Sequence, residues 1–321
     1  MERAVVHQHL LDALEKKIPK RNELIDTLME ILFMEKAAVL RRLRGDVSFS
    51  FYDVVNIAER LNLTLSHFIT SKSLWVDSFI KDEESINYKI WQDFISFVQL
   101  AKKDPNSDFT DSTNLLPGTI FYKYDTLYKF YLFKYQYLLR DAENRMSFKD
   151  FSVPETILKM SHTYFQETKH FAKTTYICDN LMISNLITDI HYFSSINLMD
   201  ADDLRHIKEV LLDLLDYFER IALNGCFEET GNPVDIYICD INLDTNYTHV
   251  QIHNMYISFI RAFCINTIMS RDQSSFDKIK KWVQSLIKTS TLITQSAAIF
   301  RMDYFEKQRK LVSGLHGDHS T

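Results

Sequence analysis

Met34-Glu35-Lys36-Ala37-Ala38-Val39-Leu40-Arg41-Arg42-Leu43-Arg44-Gly45-Asp46 has the composition of a short helix with a hard stop. Most of its residues are good helix formers. Glu35 opens it, where the helix dipole favours a negative charge. Gly45 closes it, at the position where a helix commonly ends on a left-handed residue. Lys36, Arg41, Arg42 and Arg44 put four cations into the ten residues 35–44, within a 321-residue chain of net charge −6. Val39 and Leu43 lie four apart and are expected to face a core. Lys36, Ala37, Leu40, Arg41 and Arg44 share another side at helical spacing. A basic helix face in an acidic protein points to a negatively charged partner.

Working outward, Leu24, Ile25, Leu28, Ile31 and Leu32 recur at helical spacing, with Asn22 placed to cap them. Phe33-Met34 interrupts the run just before the basic segment. Earlier still, Val6, Leu10, Ala13 and Leu14 form a stripe over 3–16, which Ile18-Pro19 ends, because the residue before proline is pushed out of the α region. On the other side, Ser50 is an N-cap candidate for a helix over 51–61 with Phe51, Val54, Val55, Ala58 and Leu61 inward. Asn62 stops it, and Leu63, Leu65 and Phe68 suggest a last short helix. Residues 3–69 thus read as five compact helices, with a tight turn between the central pair 22–32 and 35–44.

The pattern Leu28-Met29-x-x-Leu32-Phe33-Met34, then Val39-x-Arg41-x-Leu43-x-Gly45, then Ile57-Ala58-x-x-Leu61-Asn62-Leu63, resembles the lambda-repressor-like (Xre) helix-turn-helix family. The resemblance covers roughly the first 70 residues. Where the family has a small residue in the first motif helix this chain has Met29, and where it has a turn glycine this chain has Phe33. The resemblance implies a small helical DNA-binding domain whose second motif helix enters the major groove. Glu35, Lys36, Ala37, Leu40, Arg41, Arg42 and Arg44 would then make up the DNA-facing segment. Arg41 is the best base reader, since its guanidinium can bond two acceptors of guanine. Lys36 would meet a base or a phosphate. Arg42 and Arg44 would touch phosphates, which position without specifying sequence. One such module covers a half-site and binds weakly at cellular salt, so a homodimer on double-stranded DNA is expected.

Composition sets the wider frame. Residues 1–70 contain ten Lys+Arg and ten Asp+Glu, so the rest of the chain carries the excess negative charge and any nucleic-acid surface is local. With 6 Gly and 5 Pro, long helices with short connections are favoured. Cys178, Cys226, Cys239 and Cys264 have no CxxC spacing, which argues against a zinc site or a disulfide framework and suits a reducing compartment. The N-terminus has scattered charges and no apolar core of a signal peptide, and no run reaches the ~20 apolar residues of a membrane span. A cytoplasmic protein is expected.

Beyond residue 70 the reading is coarser. Residues 70–81 look like a linker, 82–103 a long helix and 104–113 a polar loop. The segment 116–144 is a helix so rich in Phe and Tyr that it is apolar nearly all round, which places it centrally in a bundle or at an interface. Its stretch 121–137 could alternatively line a pocket for a peptide or small-molecule effector, although core packing is the simpler reading. Helices are expected over 154–172, 176–195 and 200–224, the last between Asp200 and the cap pair Asn224-Gly225. Residues 233–269 alternate at period two and read as an antiparallel meander, with 255–269 open between strand and buried helix. Helices over 276–288 and 291–311 follow, and the end should fray. The fold expected is therefore mainly α. It has a helix-turn-helix domain over 1–70, a larger helical domain over 71–313 with a small β-meander, and a disordered tail over 314–321.

No GxSxG, P-loop, HExxH or GxGxxG pattern occurs, so neither a catalytic site nor a cofactor is expected. His7 and His9 are two apart and cannot share a helix face. His162 and His170 could share one, but no usual ligand lies between them. Cys178 has no neighbour in sequence to activate it and reads as core. The acidic pairs Asp202-Asp203 and Glu228-Glu229 read as helix-start or loop charges. The expected function is a sequence-specific, dimeric transcription regulator. The alternative is a non-catalytic interaction scaffold with a degenerate helix-turn-helix, kept open by Met29 and Phe33.

Overall fold

The computed structural model describes residues 3–61, 63, 73–76, 86–139, 146–262 and 265–315, and within these the side chains of 3–9, 51, 73–76 and 86 are not described. The chain divides into two compact units, Met1–Lys72 and Ser73–Thr321. The short helix expected near Leu65 and Phe68, most of the 70–81 linker, and the C-terminal HGDHST lie outside the described residues.

The first unit contains α1 (Arg3–Lys17), α2 (Arg21–Leu32), α3 (Lys36–Leu43) and α4 (Phe51–Arg60). Helix α2 is central, with α1, α3 and α4 all packed on it. Leu10, Leu14, Leu24, Ile25, Leu28, Leu32, Val39, Leu43, Ile57 and Ala58 form one buried cluster. The stripes come from i, i+3 and i+4 spacing, as an amphipathic helix requires. Helix α4 starts at a capping box, in which the Asp53 N–H donates to the Ser50 hydroxyl and the Ser50 N–H donates to the Asp53 carboxylate. Helix α2 begins one residue before Asn22, from Lys20, and has no side-chain cap.

The second unit differs from the mainly helical domain expected. It contains an eight-stranded mixed sheet among the described residues. The strands are β1 (Ser73–Val76), β2 (Asp108–Thr113), β3 (Lys173–Asp179), β4 (Val234–Cys239), β5 (Tyr247–Ile252), β6 (Met255–Ala262), β7 (Asn266–Ser270) and β8 (Ser290–Leu292). Their order across the sheet is β1-β7-β6-β5-β2-β3-β4-β8. Strands β2, β3 and β4 are parallel, whereas β5, β6 and β7 extend the sheet antiparallel from β2 and β8 closes the other side antiparallel to β4. The meander expected over 233–269 is only partly right: β5, β6 and β7 form one, with the described residues of 255–269 in two strands, but β4 lies on the far side of β2 and β3 and runs parallel to β3.

Parallel neighbours require crossovers, and these supply the helices. Helices α6 (Gly118–Phe121), α7 (Asp125–Leu139) and α8 (Glu155–Thr168) connect β2 to β3, and α9 (Met182–Ser195) and α10 (Ala201–Asn224) connect β3 to β4. Both steps run the same way along the sheet, so right-handed crossovers put both sets on one face. Tyr176 and Cys178 of β3 and Val234, Ile236 and Ile238 of β4 are buried there with residues of α7–α10. Helices α5 (Ile86–Gln99) and α12 (Ala298–Ser313) complete that layer, α5 on α8 and α12 on α9 and α10. The alternate side chains Ile177 and Cys239 face α11 (Gln273–Ile287) through Val283 and Leu286. The expected helix 176–195 thus begins as a strand: Lys-Thr-Thr-Tyr-Ile-Cys-Asp is buried on both faces and lacks the alternation of a half-exposed strand. The expected polar loop over 104–113 holds β2, whose Thr110, Asp111, Ser112 and Thr113 are buried despite their polarity.

Candidate nucleic-acid interface

Helix α3 is held by both its ends and by one face. At its start, Glu35 has extended backbone and its carbonyl accepts from the Ala38 and Val39 N–H groups. At its end, Gly45 has φ 82, the Gly45 N–H donates to the Arg42 carbonyl, and the Asp46 N–H donates to the Arg41 carbonyl. This is a Schellman closure, which pairs carbonyls that a helix end otherwise leaves open. Val39 is fully buried and Leu43 nearly so, which fixes the rotation of the helix. Rotation then decides what the rest of the helix shows. Glu35, Lys36, Ala37, Arg41 and Arg44 are exposed, Leu40 is half-buried, and Arg42 is half-buried on the flank.

The cations are not equivalent. Arg42 donates from Nη1 to the Ala38 carbonyl, and its Nε lies 3.6 Å from the Asp53 carboxylate of the α4 capping box. Its side chain is 18% exposed, so it belongs to the frame joining α3 to α4 more than to the open face on which a phosphate contact was expected. Arg44 donates from Nε to Asp46 at 3.0 Å, and both side chains are more than half exposed. Such a pair contributes at most about 1 kcal/mol and exchanges readily with another anion. Among the described residues, Lys36 and Arg41 form no ion pair, although both stand on the exposed side of α3.

The turn before α3 is a departure with a physical signature. Phe33 has φ 52 and ψ 46, and the Phe33 and Met34 N–H groups both donate to the Met29 carbonyl. This left-handed conformation favours glycine. Met29 is half-buried against the unit's core, so the larger side chain is accommodated at its rim.

The other residues singled out in the sequence separate in space. Helix α8 ends at Thr168, so His170 lies beyond it and shares no helix face with His162. His162 Nε2 instead lies 2.6 Å from Asp125 at the start of α7. Burial, with Asp111 and Asp179 nearby, pushes the Cys178 thiol well above its ordinary range. Asp203 belongs to the capping box of α10 with Asp200. Glu229 pairs with the buried Lys169 at 2.9 Å. The side chains of His7 and His9 lie outside the described residues. Among the described residues no group of three or more His, Cys, Asp or Glu is placed to hold a metal, and no helix is long and apolar enough to cross a membrane.

The aromatic segment 121–137 is mostly core: Leu127, Tyr128, Phe130, Tyr131, Phe133 and Tyr135 of α7 are buried. Its first two residues, Phe121 and Tyr122, do something else. They help line a cavity of about 130 Å³ in the second unit, between the sheet and α5, α6 and α8. The sheet wall takes alternate residues from four adjacent strands, among them Asp111 of β2, Thr248 of β5, and Phe259 and Arg261 of β6. The helical wall includes Trp91, Phe94, Tyr122 and Tyr164. Asp111 is 5% exposed and accepts from the Thr248 hydroxyl at 2.8 Å. Burial raises its carboxyl to about 6, against smaller opposing effects of Thr248 and Arg261. Asp111 and Arg261 fall in segments read respectively as a polar loop and as a strand or helix of uncertain type, and nothing in the one-dimensional pattern joins them.

Comparison with protein-family models, with curated proteins and with solved structures finds no match.

Proposed function

We propose that this chain is a sequence-specific double-stranded DNA-binding protein that acts as a dimer to regulate transcription, with α3 as its recognition helix. The observation that supports this best is the exposed side of α3. Val39 and Leu43 tie the helix down from behind, and Lys36 and Arg41 stand on its open side with no ion-pair partner among the described residues. Arg41 reads a base edge through its fork. Lys36 meets a base or a phosphate, and Arg44 leaves Asp46 for a phosphate. Arg42 acts indirectly, by holding α3 to α4 through Asp53. Glu35, Ala37 and Leu40 complete the face at close range. The unit has little net charge, so useful affinity comes from two copies on adjacent half-sites about one DNA turn apart. The larger unit supplies dimerisation. Light scattering that gave a monomer with and without DNA would remove that part.

The test is selection of bound sequences from random DNA with the full chain, repeated with two variants. Arg41→Ala flattens the preference at one or two positions. Arg44→Ala weakens all sequences alike and lowers the salt dependence by about one ion. Identical behaviour of the two variants would overturn the assignment of the groove face. The second reading is a non-catalytic scaffold that binds protein through the same unit. What favours it is Phe33, an aromatic ring 89% exposed at the turn of the helix pair. A folded chain that binds no DNA at low salt leaves that reading standing.

A further inference from the structure

The cavity against β2 has three features that a packing defect lacks. First, it is built by both layers. Side chains from four neighbouring strands, two each from β2, β6 and β7 and Thr248 from β5, form one wall, and α5, α6 and α8 the other. Second, its helical wall is an ordered set of rings. Trp91 meets Tyr164 edge-on at 5.7 Å and Tyr122 edge-on at 6.3 Å, and Phe94 meets Phe259 across the cavity wall at 4.9 Å. Third, it holds a buried carboxylate with spare capacity. Asp111 Oδ1 accepts from Thr248, and among the described residues Oδ2 has no hydrogen-bond donor. The carboxylate lines the cavity, where the donors of a bound molecule can reach it.

Size and charge narrow what that is. An apolar cavity of about 150 Å³ admits benzene, so about 130 Å³ suits a small planar molecule and excludes a peptide. An anion would meet the carboxylate. Arg261 lies on the same lining, so the site has no net charge to attract a permanent cation, although the rings alone would welcome one. A carboxylate fits two parallel N–H donors, as it does the guanidinium fork. A ring amide N–H beside an amino group presents the same edge without a charge.

We propose that this cavity binds a small, neutral, planar amino-heterocycle, whose adjacent N–H and NH2 groups meet the Asp111 carboxylate and whose ring lies among Trp91, Phe94, Tyr122 and Tyr164. The site is independent of the DNA-binding reading of the first unit, and either can fail without the other.

The test uses the full chain and 2-amino-4(3H)-pyrimidinone, read by calorimetry, by tryptophan fluorescence and by the shift in melting temperature. Saturable binding of one probe per chain is expected, with 4(3H)-pyrimidinone, which lacks the amino group, weaker by about tenfold or more. Tetramethylammonium, a compact cation without N–H groups, binds weakly or not at all. Asp111→Asn abolishes the preference for the amino compound. The comparison of the probes on the unaltered chain stands even if that variant folds poorly. Equal binding of the two pyrimidinones, tighter binding of the cation, or no saturable binding up to millimolar probe would overturn the proposal.

Discussion

Phe33 occupies the left-handed region with φ 52, and its ring is 89% exposed, so nothing packed compensates the strain. A non-glycine residue there costs roughly 1–2 kcal/mol, and glycine recovers this less its own chain-entropy cost. Phe33→Gly is therefore expected to stabilise the first unit by about 0.5–1 kcal/mol, seen as a higher urea midpoint with an unchanged slope. A lower midpoint would mean that the ring earns its exposure by an intramolecular contact. Asp111 makes the opposite kind of prediction. Its carboxyl titrates near 6 in the folded chain, above its ordinary value of 3.8. Between those values the folded state holds a proton that the unfolded state has released, so stability falls as pH rises from about 4 to about 6 and is flat above. At about 1.4 kcal/mol for each pH unit, the loss is roughly 3 kcal/mol. The groups facing it are Thr248, Arg261, Tyr122 and Tyr164, and both tyrosines are held neutral by burial. Other carboxylates, such as Asp108 beside His249, are held below their ordinary range and oppose this slope, so the signal is the difference between the chain and Asp111→Asn. The variant should be the more stable above pH 6, and a difference that does not change with pH would contradict the assignment.

At the scale of the element, α3 is a helix of eight residues, too short to persist without its ends and its buried face. Gly45 with φ 82 sits where a Cβ is strained, so Gly45→Ala should cost about 1–2 kcal/mol and weaken DNA binding through the helix, not through a lost contact. Asp46→Asn removes the carboxylate that Arg44 now meets at 3.0 Å and takes one negative charge from the groove face. It should tighten DNA binding several-fold at low salt, by about 1 kcal/mol or less, and the gain should shrink as salt rises. An unchanged affinity in fluorescence anisotropy would place Arg44 away from the phosphates. These end signals are also what the sequence conveys best. Ser50, Asp200, Gly45 and Gly225 mark helix boundaries within a residue, because caps are local chemistry between neighbours. Strands β2 and β3 were not legible for the converse reason. A central parallel strand is defined by partners more than fifty residues away, and β2 carries Thr110, Asp111, Ser112 and Thr113 in a row, so it lacks the apolar run of a buried strand.

At the scale of the molecule, two kinds of architecture share one chain. In the first unit the local pattern sufficed, since four helices pack through contacts close in sequence. In the second, the strand order β5-β2-β3-β4 brings residues 108–113, 173–179, 234–239 and 247–252 side by side, and the low Gly and Pro content, which favoured long helices with short connections, goes with crossovers made of long helices. The basic face was legible because 36, 37, 40, 41 and 44 follow a helical period. The Arg42–Asp53 contact was not, because it joins two helices. The meeting of Asp111 with Thr248 and Arg261 in the cavity was invisible for the same reason, since it joins three strands. The central claim, that α3 meets a DNA backbone and reads its bases, is tested most directly by the affinity of the full chain for its selected DNA site as salt is varied. The account predicts that log K falls linearly with log salt, with a slope of about −0.9 for each phosphate neutralised, and that a dimer using Lys36 and Arg44 from each copy gives a slope of at least about −3. Affinity that does not change with salt, or no binding at low salt by a chain shown to be folded, would contradict it.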